Sequence, residues 1–230
     1  MEKKFMKAVT FSYDDGVETD RRLIEIFNKY GMKCSFNLNS GLFGVHEPWD
    51  YKGFAAARPA VFDPSIYEGH EICLHGSKHL WPTRISDEEL VREFKDDKEK
   101  LEQTFGQKIV GGAYAFGDYS DHVEEYLKSL GIEFCRSTKI TEDFTPSEDM
   151  LAYKATCHHN NEHMYELIDR FLGIKDPGTP QIFYIWGHSY EFGGYDNWDH
   201  IEKVCQLLSG QDDVLYGTNT EVFRYFGLID

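Results

Sequence analysis

The chain has 230 residues and carries 40 acidic against 24 basic side chains, a net charge of −16. Its 41% hydrophobic and 28% charged content is that of a folded globular chain. No run approaches the ~18 apolar residues of a membrane span, and so acidic a balance argues against nucleic acid or anionic lipid as partner. The first nine residues hold charge but no apolar signal-peptide core, which sets a cytoplasmic expectation, or a secreted one if a leader has been removed. Cysteines at 34, 73, 135, 157 and 205 are odd in number and widely spaced, neither a disulfide framework nor a cysteine-type zinc site.

The pattern predicts a strand over 7–13, then a helix through Leu23, Ile24, Ile26, Phe27 and Tyr30 that Gly31 stops. Strands follow at 33–37 and 70–75. Ser86 and Glu89 form a capping box that opens a helix through Leu90, Val91, Phe94 and Leu101, ending near Gly106. A strand at 109–114, a helix at 121–130 closed by Gly131, and strands at 133–137 and 152–157 come next. A helix through Tyr165, Leu167, Ile168 and Phe171, a strand at 181–186, a helix at 201–208, a strand at 214–216 and a helix at 220–225 complete the chain.

Strands alternating with helices imply an α/β fold with a parallel sheet. Seven or eight units in a chain slightly short of the ~250 residues of a full eightfold barrel point to a distorted, TIM-barrel-like barrel, one domain over 1–230. Residues 41–67, rich in Gly, Pro and aromatics and without periodicity, read as an ordered lid or rim.

Four stretches carry candidate chemistry. Thr10-Phe11-Ser12-Tyr13-Asp14-Asp15-Gly16 puts two carboxylates where a strand ends, the face on which barrel active sites lie. Alone it reads as a polar turn capping the following helix, because such tripeptides are common turn sequences. His75 and His79 follow another strand at a spacing that suits one metal ion on a helical turn, and imidazole plus carboxylate suits zinc, cobalt, nickel or iron. Gly76 stands where the metalloprotease helix would carry its glutamate, so a base must come from elsewhere, and Asp14 or Asp15 could supply it. His188 follows the strand at 181–186 and could act as a general acid, though alone it reads as a rim histidine bonded to backbone. Gly111 to Gly117 is a small-residue turn that could bring a backbone N–H to an oxyanion, though alone it reads as a packing turn. His158, His159 and His163 have no evident carboxylate partner and read as a solvated helix start.

In order, these stretches resemble the polysaccharide deacetylase family, carbohydrate esterase family 4 with its NodB-homology domain. Thr10 to Val17 looks like its first motif, Gly69-His70-Glu71-Ile72-Cys73-Leu74-His75-Gly76-Ser77-Lys78-His79 its second, Ala113 to Gly117 its third and Ile182 to His188 its fifth. The resemblance runs from about residue 7 to about residue 190. It implies a distorted (β/α)7 barrel and one divalent metal ion, Zn2+ or else Co2+, Ni2+ or Fe2+, held by Asp15, His75 and His79. It implies Asp14 as base, His188 as acid, and the backbone N–H near Phe116 as oxyanion donor, with Tyr114 and Trp186 lining the substrate. The reaction implied is hydrolysis of an amide C–N bond, such as an N-acetyl group on a small sugar or oligosaccharide, and cyclic imide or ureide hydrolysis and non-catalytic carbohydrate binding are the alternatives. Trp49, Trp81, Tyr114, Trp186 and Trp198 are candidates for sugar stacking and equally for the core.

The chain departs from the pattern in places. Ala113 replaces the arginine that orients the base, and Arg136 at the end of the next strand is the candidate substitute. Gly76 replaces a hydroxyl residue and Val17 a proline. The aspartate that tunes the catalytic histidine has no clean match, with Asp143 and Asp149 as candidates.

Overall fold

The computed structural model describes residues 5–230. The expected strands and helices are present in the expected order. They are β1 (Lys7–Asp14), α1 (Asp20–Tyr30), β2 (Cys34–Leu38), the hairpin β3 (Trp49–Tyr51) and β4 (Phe54–Ala56), β5 (Glu71–Leu74), α2 (Asp87–Leu90), α3 (Asp96–Phe105), β6 (Gly111–Ala113) and α4 (Asp121–Ser129). Then follow β7 (Phe134–Ile140), β8 (Tyr153–Ala155), β9 (Cys157–His158), α5 (Met164–Gly173), β10 (Gln181–Gly187), α6 (Tyr190–Gly194), α7 (Trp198–Leu208), β11 (Val214–Tyr216) and α8 (Asn219–Tyr225).

The main sheet is parallel, ordered β8-β7-β6-β5-β2-β1-β10-β9. Only Thr156 separates β8 from β9, and its N–H bonds to Tyr184 O at 2.9 Å. The stretch 153–158 therefore bridges β7 and β10 and closes a ring of seven strand positions, a distorted (β/α)7 barrel. The distortion shows at β1, which pairs with β11 through Lys7–Val9 and with β2 only from Phe11 onward.

Alternation along β1 sorts its side chains. Val9, Phe11 and Tyr13 join the outer core under the helices, whereas Ala8 joins the inner cluster with Cys73, Val110, Phe134, Tyr153, Ile182 and Tyr184. Thr10, Ser12 and Asp14 share that inward register. The bottom of the barrel is stopped by α8, which contributes Val222 and Phe223 to the inner cluster. Asn219 there donates to Thr10 Oγ1 at 3.0 Å and accepts from Tyr184 OH at 3.1 Å.

The helix expected from 86 to 106 is one continuous rod with a π turn at Val91–Lys95 between α2 and α3. The segment 41–67 is ordered. Its β3–β4 hairpin turns at Lys52 and Gly53, both with positive φ, and packs on α6, where a Cβ at Gly193 or Gly194 would strike Phe54 or Tyr51. A short α6 and this hairpin were not predicted from the pattern.

Asp20, wholly buried at the start of α1, ties three segments together. It accepts from Val17 N, from the Tyr67 hydroxyl and from the Ser189 hydroxyl after β10. Burial outweighs these bonds and pushes its carboxyl up to about 7. Its folded pKa therefore exceeds its unfolded one, so its contribution to stability is full below about pH 4 and is lost as pH rises through about 7. Asp20→Asn is expected to lose stability at pH 4 and to close that gap progressively by pH 8. Urea unfolding of both proteins at the two pH values measures this, and a pH-independent gap would contradict it.

Candidate active site

The C-terminal ends of the parallel strands meet at one face of the barrel. Asp14 ends β1 in its inward register. The chain then bends through Asp15 at φ 82° and Gly16 at φ 65°, which brings two neighbouring carboxylates into one site. Asp15 N is anchored on Asn37 O at 3.0 Å.

His75 leaves β5 with its Nδ1 donating to Ala113 O at 2.7 Å. This fixes the tautomer and turns a bare Nε2 toward the carboxylates, 3.9 Å from Asp14 Oδ2 and 3.9 Å from Asp15 Oδ1. His79 Nε2 lies 3.5 Å from Asp15 Oδ1. The helical turn expected between the two histidines is instead a loop, with Gly76 and His79 at positive φ. Glu93, on the π turn, shapes that loop by accepting from Lys78 N and Leu80 N. Gly76 is required there, because a Cβ would sit 2.5 Å from Glu93 Oε1. Burial, with His75 adding, lowers His79 to about 4, so its ring is neutral at neutral pH.

Asp15 Oδ1 and His75 Nε2 are buried without a hydrogen-bond partner among the described residues. With His79 their ligand atoms all lie within 4.8 Å of one another. Buried orphan atoms cost roughly 1–3 kcal/mol each. A carboxylate oxygen and two imidazole nitrogens converging in this way fit one divalent ion.

Asp14 is held differently. Ala113 on β6 is the register partner of Arg136 on β7, so a cation missing from one strand is supplied by the next. Arg136 is fully buried, its Nη2 lies 2.5 Å from Asp14 Oδ2, and its guanidinium rests 4.2 Å from the Trp186 ring. Asn37 donates to Asp14 Oδ1 at 2.8 Å. Burial alone would raise the Asp14 carboxyl, but Arg136, with His75 and His188, brings it down to about 2.

His188 follows β10. Its Nε2 faces Asp14 Oδ2 at 3.8 Å and Asp15 Oδ2 at 4.0 Å, and its Nδ1 faces Glu191 Oε1 at 3.4 Å. Burial opposes its charge, yet Glu191, with Asp15 and Asp14, raises it to about 9. Glu191, one helical step beyond in His188-Ser-Tyr-Glu191, thus occupies the place for which Asp143 and Asp149 were considered. Those two cap turns instead, Asp143 accepting from Phe144 N and Asp149 from Leu151 N.

Other expectations need correction. Tyr114 does not line the site. It packs outward in the helix-side core, stacked on Tyr119 at 5.2 Å, because alternation after inward Ala113 turns it away. Phe116 does sit at the rim, at φ 59°, stacked 4.1 Å from Trp81 and 4.4 Å from the His79 ring. Trp186 lies beneath the site rather than on its surface. His158 and His159 are no solvated helix start, for each places Nε2 2.9 Å from Glu191 Oε2. Asn160 N donates to His158 Nδ1, so the His158 proton sits on Nε2, toward Glu191, and the group is a carboxylate ringed by imidazoles rather than an open ligand set. His163 is exposed beside Glu162 and Glu166. Arg58, from the 41–67 segment, was not anticipated. Its Nε donates to Asp15 O at 3.2 Å and its Nη2 lies 3.6 Å from Asp15 Oδ1.

A family model described as polysaccharide deacetylase matches residues 2–135, more than half of the sequence. The chain belongs to the polysaccharide deacetylase family. No match was found among curated protein sequences. The Xyl-CE4 domain of a multidomain xylanase from the hindgut metagenome of Trinervitermes trinervoides is 15% identical, with TM-score 0.61 over 96% of this chain and 91% of that one. The Streptococcus pyogenes deacetylase PplD, solved with acetate, is 19% identical with TM-score 0.52, over 62% of this chain and 61% of its own length. BA3943 of Bacillus anthracis, described as a family 4 pseudoenzyme, is 15% identical with TM-score 0.57 over 96% of this chain and 66% of that one. At these identities the likeness shows a shared fold, and within this deacetylase family that fold is the distorted (β/α)7 barrel.

Arg136→Met would leave Asp14 a buried, unpaired charge. The expected loss is about 3–5 kcal/mol of unfolding free energy in urea. The double variant Asp14→Asn, Arg136→Met is expected to recover part of it, and equal losses in both would show that the pair is not coupled.

Proposed function

We propose that this chain is a metal-dependent deacetylase that removes an N-acetyl group from an amino sugar or an oligosaccharide containing one. The carrying observation is the convergence of Asp14, Asp15, His75, His79 and His188 at one strand-end face, with a buried guanidinium behind Asp14. A divalent ion held by Asp15, His75 and His79, zinc or a borderline ion such as cobalt, would supply Lewis acidity toward the amide carbonyl and the attacking water.

Asp14 takes the proton of that water. Arg136 and Asn37 keep the carboxylate ionised and fix its aim, leaving it free to accept only along the direction of the site. His188, charged at neutral pH, stands across from it with Nε2 3.8 Å from Asp14 Oδ2. It gives its proton to the departing nitrogen as the C–N bond breaks, so that amide and water become amine and acetate. The turn at Phe116 supplies a backbone N–H toward the oxyanion, and the Trp81–Phe116 pair offers an apolar wall for a sugar ring.

A shared scaffold does not secure an activity. Support for catalysis comes from the presence of all five groups and of a cation at Asp14. Asp14→Asn is expected to lower kcat by about 10²- to 10⁴-fold with metal content unchanged. Acetate release from chitooligosaccharides reads this, with cyclic imides in the same panel. Imide opening without acetate release would transfer the assignment to an imide hydrolase, and turnover of nothing in the panel would favour a binding protein. His75→Ala, His79→Ala is expected to lose the bound ion by elemental analysis, and retention of about one ion per chain would place the metal elsewhere.

A further inference from the structure

We infer that Arg58 selects an N-acetylated sugar bearing a carboxylate near the scissile amide, over its neutral counterpart. This rests on the deacetylase reading and narrows its substrate class.

The segment that carries Arg58 is fixed rather than loosely draped. Ala57 O accepts from Glu18 N at 3.0 Å, and the Arg58 carbonyl bonds with His46 Nδ1 at 2.8 Å. The side chain reaches from there into the site mouth, 18% exposed. A guanidinium offers five N–H donors. Here Nε is taken by Asp15 O and one Nη2 hydrogen by Asn39 Oδ1 at 3.3 Å, so three donors lack an acceptor among the described residues. The contact with Asp15 Oδ1, at 3.6 Å, is an ion pair without a hydrogen bond.

Charge supplies the second part of the argument. Asp15 is the carboxylate among the three residues that fit a divalent ion. Once its charge is engaged by that ion, Arg58 has no other carboxylate within ion-pair distance among the described residues. The result is a planar, partly desolvated cation with open donors beside the reacting amide. A neutral hydroxyl would accept one of those hydrogens, whereas a carboxylate accepts two in parallel and cancels the charge. In a protein of net charge −16, a cation at this mouth, its guanidinium 5.5 Å from the Trp49 ring, is also the feature that would let an anionic substrate approach.

The test compares an N-acetylated hexosamine with the uronic acid that differs from it only by a carboxylate at C6, with the 6-phosphate as a third arm. In the zinc-loaded wild type the uronic acid is expected to have the higher kcat/KM. Arg58→Met is expected to lower the acid-to-neutral ratio about 10- to 100-fold, mainly through KM, with Arg58→Lys intermediate because it keeps the charge and loses the fork. A ratio unchanged by Arg58→Met would make Arg58 a clasp for the 41–67 segment and overturn the inference. A 6-phosphate preferred over the uronic acid would overturn the carboxylate assignment. If no sugar releases acetate, calorimetric binding of the same three sugars to zinc-loaded protein carries the comparison by itself. Tighter binding of the uronic acid, lost in Arg58→Met, would support the inference while the deacetylase reading fails. Equal or weaker binding of the uronic acid would overturn it.

Discussion

The structure is organised around one buried ion pair, Arg136 on Asp14. Two charges at the heart of a barrel are tolerable only if each is fully solvated by protein. Asp14 has Arg136 and Asn37, and Arg136 has Asp14, the Ser137 carbonyl and the Trp186 face. That mutual satisfaction requires β1, β2, β7 and β10 to meet in one register. The pair therefore constrains the barrel as much as the barrel houses the pair. Its cation comes from the strand next to the one the family pattern suggests, which shows that the requirement belongs to a point in space. Alanine at 113 leaves that point open, and its carbonyl serves a second purpose by orienting His75.

Around this centre the site divides by solvation. Asp14 is saturated with donors and held ionised. Asp15, 3.5 Å from His79 and backed by Arg58, has an oxygen with no hydrogen-bond partner among the described residues. Adjacent residues of one strand end thus sit in different surroundings, one carboxylate saturated and held ionised and the other with an oxygen open toward two imidazoles, because of what lies behind each. His188 is divided in the same way between its two nitrogens. One faces the carboxylates, and the other is held by Glu191, itself gathered by His158 and His159.

Much of this was legible in the sequence, and the reasons differ by residue. The barrel strands could be read because each is an apolar run closed by a turn residue. Asp14, Asp15, His75 and His188 could be read because each sits at or just past a predicted strand end, and His79 because it follows His75 at a spacing that suits one metal ion. Arg136 was reachable only through topology, since nothing in its local sequence marks it. Glu191 carried a signal, a carboxylate three residues past the histidine, which went unused because the short α6 was not recognised. His159 was misplaced because β9 has only two residues, too few for a period. The Lys52-Gly53 turn was a usable hairpin cue, but flanking strands of three residues each gave it no support. Arg58 stands in an aperiodic loop, where no pattern argument reaches.

The pairing of β1 has a consequence for how the chain comes into being. Lys7 pairs with Gln181 on one side and Val214 on the other, so β1 waits for strands roughly 170 to 210 residues further along. The inner cluster is not complete until Val222 and Phe223 of α8 arrive. During synthesis the growing polypeptide would hold an unpaired strand edge, and Arg136 and Asp14 would face each other in an unsealed barrel. Pairing over such sequence separation is slow because loop closure precedes its reward. Commitment to the native state is thus deferred until β10, β11 and α8 have been made, and loss of α8 would be felt first at the inner cluster beside β1.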